Sequence, residues 1–416
     1  MTSASQHDHE TQSGSFRGPA SWAILLTVLF VWTLAVAPAK AENFKVLYSF
    51  KGEGDGESPG GLLLDAKGNL FGLTEFTYGM QSGHGVFFKL DKKGKQTVLY
   101  TFQGGPDGDG PYYQILLRDA ADNFYGTTVG GGADGLGTVF KINFKSHTKT
   151  VLHSFTGGIT DGSYPFAGVI QDEAGNLYGT TENGASDGGA GWGGVFKVDR
   201  AGTETLLLSF SGSGVGGDSR AGLIWDEQGN LYSTTIDLGN QGCSCGTIFE
   251  LDSTGKPSVL HDFSGYPTDG ANPYTGLIRD PSGNLYGTTV NGGGQDSCHP
   301  TCGTVFELSP PTQGGNWTET VLHTFTGGTD GEYPYGWLVR DKMGNLYGTT
   351  QLGGAFDRGT VFKIDTAGAE TIIHNFDGRG GQQPMAGLVL DSSGNLYGTT
   401  SQGGKYDFGA VFKLTP

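Results

Sequence analysis

Basic residues are scarce in this sequence: 25 Lys and Arg stand against 42 Asp and Glu, which leaves a net charge of −17. A protein that grips a nucleic-acid backbone needs a basic stripe to neutralise phosphates, so that class is disfavoured. Within residues 1–41, Asp8 and Glu10 offset Arg17 and Lys40, so the acidity belongs to the rest of the chain. Long apolar runs are nearly missing as well. The one that occurs, Trp22 to Ala37, has 16 residues, short of the roughly 20 that a membrane-spanning helix needs. Pro38 and the small-x-small site Ala39-Lys40-Ala41 follow it, the pattern of an export signal cleaved after Ala41, with an uncleaved anchor as the alternative. The expectation is a signal peptide at 1–41 and a single domain at 42–416. No membrane span remains after cleavage, and the mature chain is read as periplasmic or extracellular and as a monomer.

Cysteine is almost absent, with four residues in the whole chain: Cys243, Cys245, Cys298 and Cys302. In an exported chain two disulfides are expected, although three connectivities are open. Pairing within each loop is simplest by sequence, yet a Cys-x-Cys bridge closes a tight ring, so bridges between the neighbouring loops stay open. A four-thiolate zinc site is the other reading. Compact catalytic signatures are lacking too: there is no His-Glu-x-x-His, Walker-type or EF-hand sequence. Gly184-Ala185-Ser186-Asp187-Gly188 and Gly212-x-Gly214-x-x-Gly217 match short patterns, but neither precedes the helix that a nucleophile elbow or a dinucleotide loop requires.

What the sequence does hold is glycine, 76 residues in 416, against an average of roughly 7%. It also holds a repeat. Gly-Asn-Leu-Tyr-Gly-Thr-Thr or a variant begins at Gly68, Asp122, Gly175, Gly229, Gly283, Gly344 and Gly394, with gaps of 54, 53, 54, 54, 61 and 50. Each copy has an apolar run before this phrase, a Gly-Thr-Val-Phe-Lys-like run after it, and then a Val-Leu-His-Ser-Phe-like run. These runs are short, rich in β-branched and aromatic residues and bounded by turn formers, so each copy predicts four strands. An aspartate stands three residues before every anchor (Asp65, Asp119, Asp172, Asp226, Asp280, Asp341, Asp391), and predicts a hairpin turn whose carboxylate accepts backbone N–H groups.

Seven four-stranded units in tandem predict an all-β fold, a seven-bladed β-propeller. The chain opens with a lone outer-strand segment, Val46 to Phe50, and ends on a third strand, Val411 to Leu414. The N-terminal strand therefore completes the last blade and hides both edges. An open β-solenoid is the competing architecture.

The phrases Gly-Thr-Val-Phe-Lys, Val-Leu-His-Ser-Phe-Thr-Gly-Gly-x-x-Asp-Gly and Gly-Asn-Leu-Tyr-Gly-Thr-Thr, from about Phe44 to Pro416, resemble the bacterial GloVer-type (choice-of-anchor) tandem-repeat family. The resemblance implies an exported bacterial protein of no established activity, often with a C-terminal surface anchor. This sequence departs from that last feature, because no apolar tail follows its final predicted strand.

Strand alternation places the second-to-third and inter-blade loops on one face, and these are the long, varied ones. They carry Tyr78, Trp192, Tyr266 and Phe356, and a binding site is expected there, around the channel mouth. A recurring aspartate precedes the innermost strand: Asp55, Asp107 with Asp109, Asp161, Asp269 and Asp330, with Asp218 shifted in the fourth copy. These carboxylates are candidates for a ring that takes Ca²⁺ or sugar hydroxyls, with solvated turns as the simpler reading. His153, His261, His323 and His374 share a register with Tyr48, Tyr100 and Leu208, which argues for packing between blades. The functional expectation is a binding or interaction propeller that recognises carbohydrate or another surface polymer. Its rival is a lyase- or hydrolase-type enzyme with an acidic, cation-assisted site at the mouth; the uniformity of the repeats favours binding.

Overall fold

In a computed structural model the described residues are 43–416, without 53, 77–82, 113, 186–190, 212–213, 240–242, 295–301 and 313. Residues 1–41, where a signal peptide is expected, Tyr78, Cys298 and parts of the two glycine motifs lie outside them. Among the described residues no helix is long and apolar enough to cross a membrane.

Seven four-stranded antiparallel sheets form the blades of a propeller. Blade 1 runs outward from the axis as Glu57–Leu64, Leu70–Phe76, Val86–Leu90 and Gln96–Thr101. Blades 2 to 6 hold their four strands within 117–154, 170–209, 224–262, 278–324 and 339–375. Blade 7 is built from Val389–Leu390, Leu396–Thr400 and Ala410–Thr415, and its outermost strand is the N-terminal segment Asn43–Ser49. That segment pairs antiparallel with Ala410–Thr415, from Asn43 opposite Thr415 to Ser49 opposite Ala410. The expected three-plus-one closure is the observed one.

The repeated phrase can be read residue by residue, here in blade 6. Gly344 takes φ of 95°, the left-handed value a tight turn demands. Asn345 donates through Nδ2 to Asp341 at 2.7 Å, and Tyr347 donates its hydroxyl to the same carboxylate at 3.1 Å. Leu346 is buried between the blades. Gly348 lies under the Phe362 ring, which occupies the space a Cβ would need. Thr349 Oγ1 donates to the Ala386 carbonyl of blade 7, and the Thr350 and Thr360 hydroxyls, on the second and third strands, hydrogen-bond each other at 2.8 Å. One phrase thus sets the turn, the core contact, the strand spacing and the tie to the next blade.

That tie recurs. The first threonine of the pair bonds a carbonyl just ahead of the inner strand of the following blade from Thr127, Thr180, Thr234, Thr288 and Thr349. Thr399 of blade 7 closes the ring onto Gly60 of blade 1 at 2.9 Å. Aromatic pairs run alongside. The phenylalanine ending each outer strand meets edge-on the third-strand phenylalanine of the next blade, as in Phe102 with Phe140, Phe263 with Phe306 and, across the closure, Phe50 with Phe88 at 5.2 Å. Such pairs add about 0.5–1.5 kcal/mol each beyond the area they bury.

The predicted turns are present. At Asp341 the Oδ1 atom accepts from the N–H groups of Met343 and Asn345, each at 2.9 Å. Six of the seven turn carboxyls sit below the usual carboxylate range; partial burial pulls them up, and the hydrogen bonds from asparagine and backbone outweigh it.

Candidate functional site

The inner strands surround a cavity of about 550 Å³. Residues alternate along the extended segment that leads into the inner strand of blade 3, so that Pro165, Ala167 and Val169 are buried while Phe166 and Gly168 are partly open. The partly open set faces the axis. At its wide register stand Phe166, Arg220, Tyr274, Tyr335 and Met385, joined by Tyr112 of blade 2, and all of them line the cavity. This collar lies just ahead of the inner strands, and so at the long-loop end of the channel.

Its members touch one another. Tyr112 meets Phe166 edge-on at 5.0 Å, and Tyr274 meets Tyr335 at 5.3 Å. Arg220 lies between Phe166 and Tyr274, 4.5 and 5.4 Å from the ring centroids. Its Nε donates to Glu182 at 2.8 Å. Arg220 is the one charged residue among the described residues that line the cavity, and Glu182 balances it. Burial pushes the Tyr112 hydroxyl up to about 12, so it stays a neutral donor. Behind the collar, burial and then the charges of Glu182 and Asp237 push the Asp218 carboxyl up to about 6.

One register deeper the repeat breaks. Four residues before the turn aspartate, five blades carry glycine (Gly61, Gly168, Gly222, Gly276, Gly387), whereas blade 2 has Ile115 and blade 6 has Trp337. The Trp337 indole reaches sideways over blades 7 and 1, where it fills the space that side chains at Gly387 and Gly61 would need. The cavity is therefore walled by tryptophan on one side and by bare backbone in blades 3 to 5. The sequence reading missed this site; the signal was the tryptophan in a glycine register.

Among the expected loop aromatics, Trp192, Tyr266 and Phe356 are exposed, at 41%, 42% and 57%. The aspartates of the expected ring are each tied to nearby side chains. Asp55 accepts from the Tyr48 hydroxyl and Asp107 from the Tyr100 hydroxyl at 2.8 Å, each from the outer strand preceding its loop. Asp161, Asp269 and Asp330 meet the ring nitrogens of His153, His261 and His323 at 3.2–3.3 Å. Asp109 meets His84 Nδ1 at 2.8 Å. None of the six is among the described residues that line the cavity. The three histidines thus face a carboxylate from their own loop, a pairing that the register with Tyr and Leu did not reveal. Burial, followed by the adjoining aspartate, pushes Glu204 and Glu319 up to about 7; burial does the same to Glu370 beside His323 and Asp330.

Cys243 and Cys245 are bonded to each other, so this bridge lies within one loop. Cys302 is also disulfide-bonded, and its expected partner Cys298 lies outside the described residues.

No curated protein matches the chain by sequence. The extracellular domain of a candidate hybrid two-component system from B. thetaiotaomicron superposes with a TM-score of 0.57 at 12% identity, over 90% of this chain and 40% of that one. The corresponding domain of a candidate one-component system from the same organism gives 0.56 at 10% identity, over 89% and 39%. The chain thus spans about two fifths of the length of these structures. A candidate 6-phosphogluconolactonase from Bacteroides uniformis gives 0.50 at 15% identity, over 78% and 87%. At these identities the likeness is one of fold. The sequence model described as the Gloeobacter/Verrucomicrobia repeat matches residues 28–188, 160–318 and 221–416. With the repeat unit matched from end to end of the propeller, the chain belongs to the Gloeobacter/Verrucomicrobia repeat family.

Proposed function

We propose that this protein is an exported binding propeller that takes a neutral carbohydrate in its axial channel. The carrying observation is the collar of Tyr112, Phe166, Tyr274 and Tyr335 above Trp337, around a cavity of about 550 Å³. Sugar rings present apolar C–H faces and a rim of hydroxyls. Aromatic faces match the former, and tyrosine hydroxyls and exposed backbone groups match the latter. The Arg220–Glu182 pair is closed on itself, which favours an uncharged ligand over an anionic one. The signal-like pattern of residues 1–41 supports export, and two structural neighbours being extracellular domains fits it.

The test is a panel of neutral mono- and oligosaccharides titrated into the purified chain, read by tryptophan fluorescence and calorimetry. Trp337→Gly installs the residue found at this register in five other blades, so the fold should tolerate it. The expected result is saturable binding to the wild type that weakens at least tenfold in Trp337→Gly. A panel without any binder, or equal affinity in the variant, would sink the proposal.

A further inference from the structure

Comparing the blade junctions with one another isolates a second arrangement, remote from the channel residues. At five of the seven junctions an outer-strand side chain, the aspartate of the following loop and the first part of the next blade's outer strand come together. Where the outer-strand residue is tyrosine, the third member is not an acid: Gln96 Nε2 donates to the Asp55 carbonyl beside Tyr48, and Lys149 Nζ lies 3.3 Å from Asp107 beside Tyr100. Where it is histidine with an aspartate, the third member is glutamate in every case: His153, Asp161 and Glu204; His261, Asp269 and Glu319; His323, Asp330 and Glu370. His374 has no aspartate at the corresponding loop position and stacks on Phe44 instead, at 3.9 Å.

Two carboxylates beside one imidazole concentrate negative charge in a partly buried junction, and the Lys149 junction shows how a built-in cation closes such an account. At the histidine junctions one carboxylate oxygen, Oε1 of Glu204, Glu319 and Glu370, is buried and accepts no hydrogen bond. A buried unpaired acceptor is costly and calls for a partner. The geometry supplies room for one. In two of the sets the donor atoms of all three residues lie within 4.8 Å of one another. The His261–Asp269 and His323–Asp330 separations are both 3.3 Å. That is longer than the roughly 2.7–2.9 Å of a charge-assisted N–H···O bond, and it matches the spacing of about 3.3–3.4 Å between two ligands of a tetrahedral ion at 2.0–2.1 Å.

We infer that the junctions between blades 4 and 5 and between blades 5 and 6 each bind one divalent transition-metal ion of the Zn²⁺ type, through His261, Asp269 and Glu319 and through His323, Asp330 and Glu370. A nitrogen donor with two carboxylates suits such an ion better than Ca²⁺, which prefers six to eight oxygens. The aspartates are already aimed: Asp269 Oδ2 accepts from the N–H and hydroxyl of Ser264 at 2.7 and 3.0 Å, and Asp330 Oδ2 likewise from Thr326. Because each glutamate comes from the next blade, a bound ion would link two blades.

Zinc chloride titrated by calorimetry into the EDTA-stripped full chain is the test, with Glu319→Gln and Glu370→Gln as variants, since Gln96 occupies the same place at a natural junction. The expected result is two equivalents for the wild type, one for each single variant and none at comparable affinity for the double variant. Melting temperature should rise with zinc in the wild type and not in the double variant. Cobalt substitution of the wild type keeps the inference testable if a variant folds poorly, because nitrogen and oxygen ligation gives visible bands without a sulfur charge-transfer band. Absence of binding at 100 µM zinc (about the upper limit for a useful site), unchanged stoichiometry in the double variant, or a sulfur band would each overturn it.

Discussion

Removing residues 43–51 should open the ring. The segment supplies the outer strand of blade 7, pairing along Ala410–Thr415. It also places Phe50, fully buried, edge-on to Phe88 of blade 1 at 5.2 Å, and Phe44 against His374 and Phe412. Truncating one fully buried phenylalanine costs about 3–5 kcal/mol, and whole proteins of this kind are stable by about 5–15 kcal/mol. Phe50→Ala alone therefore removes about a fifth of the margin or more. Phe210→Ala, in an equivalent pair with Phe249 inside the ring, provides the matched control. Deleting the strand adds the loss of Phe44 and Leu47 and leaves Ala410–Thr415 as a free edge, which invites association. The assay is thermal melting with light scattering on chains beginning at Glu42 and at Gly52. The shorter chain should melt far lower and self-associate, and a peptide spanning 43–51 should restore it in a concentration-dependent way. If the chain from Gly52 were as stable and as monomeric as the longer one, closure by the N-terminal strand would be refuted.

Two further outcomes follow from the pairings around the ring. Burial against Phe44 lowers His374 to about 4, so its folded form binds fewer protons than its unfolded form. That contribution is intact above pH 6.5 and is lost as pH falls from there towards 4, a change of up to about 3 kcal/mol; His374→Leu, with the residue that Leu208 provides at this register, should flatten the wild-type decline in urea-derived stability between pH 7 and 4.5, and an unchanged slope would contradict it. Asp341→Ala removes the acceptor for Met343, Asn345 and Tyr347 and should cost about 1–3 kcal/mol by denaturant titration, whereas a loss under 0.5 kcal/mol would mean that the turn holds without its carboxylate.

The blades were readable because every strand and turn is written seven times, and a chance pattern does not keep its spacing through Asp65, Asp119 and their five counterparts. The orphan strand at Val46 to Phe50 carried the closure for a similar reason, since a unit counted from the first anchor leaves it over. The long-range partners were less readable. The expectation that Asp161, Asp269 and Asp330 face one mouth followed loop order alone. It could not include the bend that carries each carboxylate back beneath its own outer strand, to the ring of His153, His261 or His323. Counting along the sequence gives an eight- or seven-residue separation and no hint of which way the side chain turns.

The channel was hidden for a different physical reason. In a repeat, the residues that fold the unit are the ones that recur, so an eye drawn to recurrence finds the scaffold. A ligand site on the symmetry axis must be built from positions that every blade offers and that only some blades use. Pro165, Pro273, Pro334 and Pro384 open the extended segment that leads into the inner strand, and the residue after each, Phe166, Tyr274, Tyr335 or Met385, points to the axis because side chains alternate. Each one alone is an ordinary strand residue. Only alignment on the turn aspartates shows that Trp337 and Ile115 stand where five blades have glycine, and glycine there has two consequences at once. It leaves free volume at the axis, and in blades 1 and 7 it accepts the Trp337 indole, which would otherwise collide with side chains at Gly61 and Gly387. The departure from the repeat in blade 6 and the conformity of blades 7 and 1 are therefore one feature. It makes the cavity one-sided, with an aromatic wall opposite open backbone, as a site for a single oriented ligand requires.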